Sequence, residues 1–253
     1  MNVTATNQSI YEDDHTTTIQ SAELSSAAAL EMAARSNMYA LLADVFRYPD
    51  SDFIDFVRQE ELRTALLDIS SGLPYAFDLS QEEKAALKIS DELDDDDVEA
   101  GFIRIFEAGP GDPPCPLVEG KYVKDANRRA IFEDLIRFYN HFGLSYKEGT
   151  HDDRPDHITY EMEFMHYMSF LSLKAVQEAR EKDDYFRAQK DFLEHHLLKW
   201  TEGVAKVLEE VVTALKQDAA AMFYANLAVL MDRYVRADYD YLAAVLEDSL
   251  TSD

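Results

Sequence analysis

The sequence predicts an all-α protein, a helical bundle in two parts joined by a Gly/Pro-rich hinge. Three observations carry this. Apolar residues recur at helical spacing over most of the chain, no run shows convincing β alternation, and the helix-breaking residues concentrate in one segment. Four of the seven prolines and three of the eight glycines fall between Gly109 and Gly120. Proline fixes φ and cannot continue a helix, so this stretch is a connector. Cys115, Leu117, Val118 and Tyr122 make it a partly covered connector rather than a polar tether. The expected organisation is a disordered tail over 1–20, a helical part over 21–108, the hinge over 109–122 and a second helical part over 123–253.

The first helix is expected over 21–47, where Leu30, Ala34, Met38, Leu41, Leu42, Val45 and Phe46 trace one stripe before Tyr48-Pro49 stops it. Ser51 is placed to cap a second helix carrying Phe53, Ile54, Phe56 and Val57, extended by Leu62, Leu66 and Ile69. Ser71-Gly72-Leu73-Pro74 is a turn. Ser80 with Glu83 spells a capping box, and Asp94 to Asp97 put negative charge at the start of the next helix. Phe102, Ile105 and Phe106 carry that helix to the hinge. Beyond it, Asp125 is expected to cap a helix through Ile131, Leu135, Phe138 and Phe142, closed by Gly143. A polar loop over 145–154 leads to Pro155, read as the start of a long helix over 156–182 with Asp156 and His157 in its first turn. Further helices are expected over 184–200, 202–216 and from 218 onward.

A chain of 253 residues, 47% hydrophobic and 11% aromatic, can bury one large core or two smaller ones. Fifty acidic residues against 24 basic give a formal charge of −26. That repels nucleic acid and anionic membranes; it suits a cationic peptide partner, or a surface adapted to high salt. The single cysteine rules out an internal disulfide framework. The first residues lack a basic n-region and an apolar core, and no apolar run approaches the roughly 20 residues of a membrane span. A cytoplasmic protein is expected.

Little in the sequence points to catalysis. Cys115 lies between prolines with no identifiable base, and no serine sits on a nucleophile elbow. Gly109-Pro110-Gly111 is not followed by Lys-Ser/Thr, and Pro110 removes an amide that a phosphate cradle would use. Glu163-x-x-His166 has the spacing of di-iron bundles, but that site needs a second such motif and two further carboxylates from other helices. His157 and Glu161, one turn apart, are placed to meet, yet two ligands make no metal site. His195 and His196 point to different helix faces. No catalytic residue, cofactor or metal is expected.

Longer motifs carry a resemblance. They are Phe102-x-x-x-Phe106-x-x-Gly109-Pro110-Gly111, Cys115-Pro116-Leu117-x-Glu119-Gly120-x-Tyr122, Arg137-Phe138-Tyr139-x-x-Phe142-Gly143-Leu144, Pro155-Asp156-His157-x-x-x-Glu161-x-Glu163-Phe164-Met165 and Phe192-x-x-x-His196-x-x-x-Trp200. With these the chain resembles the redox-enzyme maturation chaperones, which assemble molybdenum reductases of the DMSO and nitrate reductase type. Many members carry Pro-Pro-Tyr-Glu-Ser where this chain has Cys115-Pro116-Leu117-Val118-Glu119-Gly120, a form similar to the branch serving dimethyl sulfide, selenate, chlorate and ethylbenzene enzymes. A proline often found after the tryptophan is replaced by Thr201-Glu202-Gly203. The resemblance implies a non-catalytic, cytoplasmic, all-helical assembly chaperone, a monomer or weak dimer. It would hold the catalytic subunit of a molybdopterin oxidoreductase by its twin-arginine signal peptide until cofactor insertion. It also implies a peptide site built from Asp156, His157, Glu161, Glu119 and Tyr122 with Gly109, Pro110 and Gly111. Met162, Phe164, Met165, Met168 and Phe170 are then either adaptable groove surface or plain core. A helical adaptor for a folded protein and a helical metalloenzyme are the alternatives.

Overall fold

The computed structural model describes residues 26–89, 93–124, 127–145 and 154–251, so the expected tail and Asp125 lie outside the described residues. The described residues form α1 (Ala27–Val45), α2 (Ser51–Arg58), α3 (Glu61–Ser71), α4 (Gln81–Ala86), α5 (Asp95–Phe102), α6 (Arg128–His141), α7 (Ile158–Gln177), α8 (Asp183–His195), α9 (Thr201–Ala214) and α10 (Ala219–Thr251). The expected capping box of Ser80 with Glu83 is present on α4, and the acidic start of α5 holds a second one, Asp94 with Asp97. Gly143 follows α6 with φ +81°, the left-handed C′ conformation that glycine adopts without steric cost.

Three helix starts differ from expectation. Asp50, not Ser51, caps α2, accepting from the Phe53 N–H at 2.9 Å, and Ser51 becomes the first helical residue. Asn127 caps α6. The long helix α7 begins at Ile158, with His157 rather than Asp156 or Pro155 at its boundary. The cause is tertiary. Val118 and His157 form an antiparallel bridge, in which Glu119 N–H donates to the Asp156 carbonyl (2.9 Å) and Ile158 N–H to the Leu117 carbonyl (3.0 Å). This pairing holds His157 extended, just after a turn closed by its N–H to the Arg154 carbonyl (3.1 Å), so the helix cannot start before it.

Helices from both sides of the hinge share one hydrophobic core. α1 packs along α7, and α9 along α10, which also crosses α8. Met162, Phe164, Met165 and Met168 are buried, so that stripe is core. α5 runs into a π-helical turn, Ile103–Glu107, closed by Ala108 N–H to the Ile103 carbonyl (2.7 Å). There α5 crosses α10 at Gly101, where a Cβ would stand 2.6 Å from that of Ala220.

A charged knot fastens this core. The buried Arg35 guanidinium donates from Nε and Nη2 to the two oxygens of Asp238 (2.6 and 2.8 Å) and from Nη2 to Gln189 (2.7 Å). Tyr39 and Tyr75 donate to the same carboxylate at 2.8 and 2.9 Å. Burial alone would push the Arg35 pKa down, but Asp238 overrides it and holds the group charged.

Candidate functional site

The second half of the hinge forms the wall of a buried polar cluster. After the bridge, Glu119–Lys121 makes one turn of 3-10 helix. Its Gly120 N–H donates to Asp156 Oδ2 at 3.0 Å, and the Arg154 guanidinium grips both oxygens of that carboxylate (2.9 and 2.7 Å). Asp156 is fully buried and engaged through both backbone and side chain. It therefore fixes hinge to helix rather than capping α7. Tyr139, on α6, donates to the Pro155 carbonyl (2.9 Å) and completes the clamp.

Behind it lie two further carboxylates. Glu119 Oε2 is 2.9 Å from His196 Nδ1, just past α8, and the other ring nitrogen faces Asp134 at 3.7 Å. Glu161 turns inward toward Trp200, whose indole N–H donates to it at 3.1 Å. Burial pushes the Glu161 carboxyl well above the usual range, and the neighbouring charge of Glu119 adds to this. Its second oxygen is buried without a hydrogen-bond partner. Tyr122 stacks on Trp200 with ring centres 5.6 Å apart, and its hydroxyl lies 3.3 Å from the Cys115 sulfur. Burial pushes the Cys115 thiol up to about 12, which makes it inert. Tyr122 fits because residue 203 is glycine: a Cβ there would sit 2.7 Å from the tyrosine ring.

The structure thus brings together Glu119, Tyr122, Asp156 and Glu161, with His157 half-buried at the edge, where its Nδ1 faces Thr159 at 2.8 Å. Gly109, Pro110 and Gly111 are exposed at the other end of the hinge. The expected meeting of His157 and Glu161 gives way to the Trp200 contact. Sequence reasoning did not single out Arg154, and it quoted Tyr139, His196 and Trp200 only as carriers of the resemblance, not as site residues. Glu163 and His166 part company: Glu163 pairs with Arg47, and His166 Nδ1 lies 2.9 Å from Ser36 Oγ. Among the described residues no group of His, Cys, Asp and Glu is arranged to hold a metal ion.

The exposed surface nearest the hinge entrance is of a different kind. Tyr48 packs edge-on against Phe102, and Ile103 and Met222, two residues on from Gly101 and Ala220, are exposed. The Tyr48 hydroxyl donates to Glu99 at 2.5 Å. That bond first, then desolvation and the charges of Glu99, Glu107 and Asp96, raise its pKa, which records how many carboxylates crowd this edge.

The model of the nitrate reductase delta subunit family matches residues 60–206 of this chain. The chain belongs to that family. It is 33% identical over 208 residues to a perchlorate reductase assembly chaperone protein of Dechloromonas aromatica (strain RCB), covering 81% of this chain and 88% of that one. A selenate reductase assembly chaperone protein of Thauera selenatis is 34% identical over 49% of this chain and 64% of its own length. A chlorate reductase assembly chaperone protein of Ideonella dechloratans is 26% identical over 73% and 81%. The family match takes in the hinge, the Asp156 clamp and both Glu119 and Glu161, and stops six residues beyond Trp200.

Proposed function

We propose that this protein is a non-catalytic assembly chaperone for the catalytic subunit of a molybdenum oxidoreductase. It acts in the cytoplasm, as a monomer or weak dimer, and holds its client by a twin-arginine signal peptide. The observation that carries the reading is the 33% identity over 88% of a perchlorate reductase assembly chaperone. The physical setting agrees. A signal peptide offers two guanidiniums and an apolar stretch, and Tyr48, Ile103 and Met222 offer exposed apolar surface, with Glu99, Glu107 and Asp96 close to Tyr48. The edge leads into Gly109-Pro110-Gly111, and Lys121, next to the Asp156 clamp, pairs with Asp112 across the loop. On this reading the buried carboxylates hold the hinge in shape and the exposed edge receives the peptide. Micromolar affinity, about −8 kcal/mol, is enough to hold and still release.

The test is titration calorimetry with a synthetic twin-arginine peptide. Tyr48→Ala and Ile103→Ser, both at exposed positions, are expected to weaken binding at least about five-fold while the melting temperature stays put. Equal affinity in both variants would move the peptide elsewhere. No binding of any twin-arginine peptide by the parent, with a folded subunit captured instead, would favour the adaptor reading.

A further inference from the structure

The polar cluster behind the hinge holds more acid than base. Glu161 is fully buried and Glu119 is 2% exposed, and the two carboxyls lie within hydrogen-bonding reach of one another. The arginines on either side do not serve them. Arg154 grips both oxygens of Asp156, and Arg47, just past α1, is paired with Glu163. On α6, Tyr139 faces the same carboxylates, but its hydroxyl is donated to the Pro155 carbonyl, and Asp134 reaches no nearer than 3.7 Å from His196. Two donors come from the junction of α8 and α9. His196 Nδ1 lies 2.9 Å from Glu119 Oε2, and the Trp200 indole donates to Glu161 Oε2 at 3.1 Å. That leaves Glu161 Oε1, a buried oxygen with no donor to accept from.

We propose that Glu119 and Glu161 share a single proton, and that this proton latches the hinge turn onto α7. The hydrogen-bond directions place it. Glu119 accepts from His196 and is the ionised partner, while Glu161 Oε1, carrying the proton, becomes the donor toward Glu119. Burial, then the charge of Glu119, favours the protonated form of Glu161. One hydrogen bond thus replaces two adjacent buried anions, whose repulsion the interior would screen poorly. Raising the pH removes the proton to solvent, and the pair must part. The weaker attachment yields: α7 is packed along α1, whereas Glu119 sits on a single 3-10 turn. The Trp200 bond favours ionised Glu161, so Trp200 stays with α7 and the turn leaves with Tyr122, opening their stack.

The experiment follows the proton and the turn separately in the full chain. At about pH 8, above the range in which Glu163 titrates, the infrared band of one protonated carboxyl per chain is expected. Glu161→Gln should abolish the band and Glu163→Gln should leave it. Glu119→Gln removes the neighbouring charge and should lower the pH at which the band disappears by at least about one pH unit. Past that pH the parent's Trp200 emission should shift to the red as Tyr122 moves off, with helix content by circular dichroism unchanged. In Glu161→Gln, whose amide can donate to Glu119 at every pH, the emission should stay constant. No band in the parent at about pH 8 overturns the proposal, as does a Glu119→Gln variant that loses its proton at the parent's pH. A red shift that persists in Glu161→Gln, or that comes only with loss of helix, also overturns it. So does a band that vanishes while the emission stays constant, since the proton would then hold nothing in place.

Discussion

The indole of Trp200 is held at both its edge and its face: its N–H donates to Glu161, and Tyr122 stacks on its ring. Because Trp200 is the only tryptophan, its fluorescence reports the packing of hinge on helix. Gly203→Ala would place a Cβ 2.7 Å from the Tyr122 ring and must displace it. The expected result is a red-shifted emission and a loss of about 1–3 kcal/mol. An unchanged spectrum would show that Tyr122 is not confined as described.

Acid should stabilise two of the buried carboxyls. Glu163 is pushed up to about 7, chiefly by burial and against the pull of Arg47, and burial with the charge of Glu119 raises Glu161 as well. A carboxyl whose pKa is higher in the folded chain holds its proton more tightly there. Its contribution is full below the usual 4.5 and lost as pH rises through 7 in the case of Glu163. The melting temperature should therefore rise between pH 8 and pH 5, and Glu163→Gln and Glu161→Gln should each flatten that rise. Parallel curves for parent and variants would contradict this.

Asp156→Asn tests the clamp. On a helix-capping reading the change would be nearly silent. Because Asp156 is buried and bound by Arg154 and the Gly120 amide, it should instead cost about 1–3 kcal/mol, measured by urea unfolding. His157→Ala, at a half-buried boundary position, should cost less.

The Arg35–Asp238 pair invites a double-mutant cycle. Either Arg35→Met or Asp238→Asn alone leaves a buried group without its partner and should cost about 3–5 kcal/mol. The double variant should lose less than the sum. Strict additivity would mean that the two side chains are not coupled.

Salt addresses the surface. If self-repulsion at −26 limits stability, the melting temperature should climb from low salt into the molar range. A flat profile would remove high-salt adaptation as the reason for the acidity.

The helices were legible because their apolar spacing is a local signal, and so was the Ser80–Glu83 capping box. Helix boundaries failed where a neighbour or a distant segment decided them. Asp50 and Ser51 both suit a cap, and α7 starts late because the hinge pairs with residues 156–158. Glu119, Asp156 and Glu161 were picked out by resemblance, but their burial was not. Their partners lie far off in sequence: His196 is 77 residues from Glu119, and Trp200 is 39 from Glu161. The Arg35 knot had no sequence signature at all, since no periodicity links residues 203 apart.

That separation bears on how the chain is born. Arg35 leaves the ribosome 203 residues ahead of Asp238. At about 5–20 residues per second, its guanidinium waits roughly 10–40 s for the carboxylate that neutralises it. Until α10 emerges, α1 cannot settle into the interior without stranding a charge there. Nascent or C-terminally truncated chains therefore stop short of the finished core, and the last helix to be synthesised licenses the first to be buried.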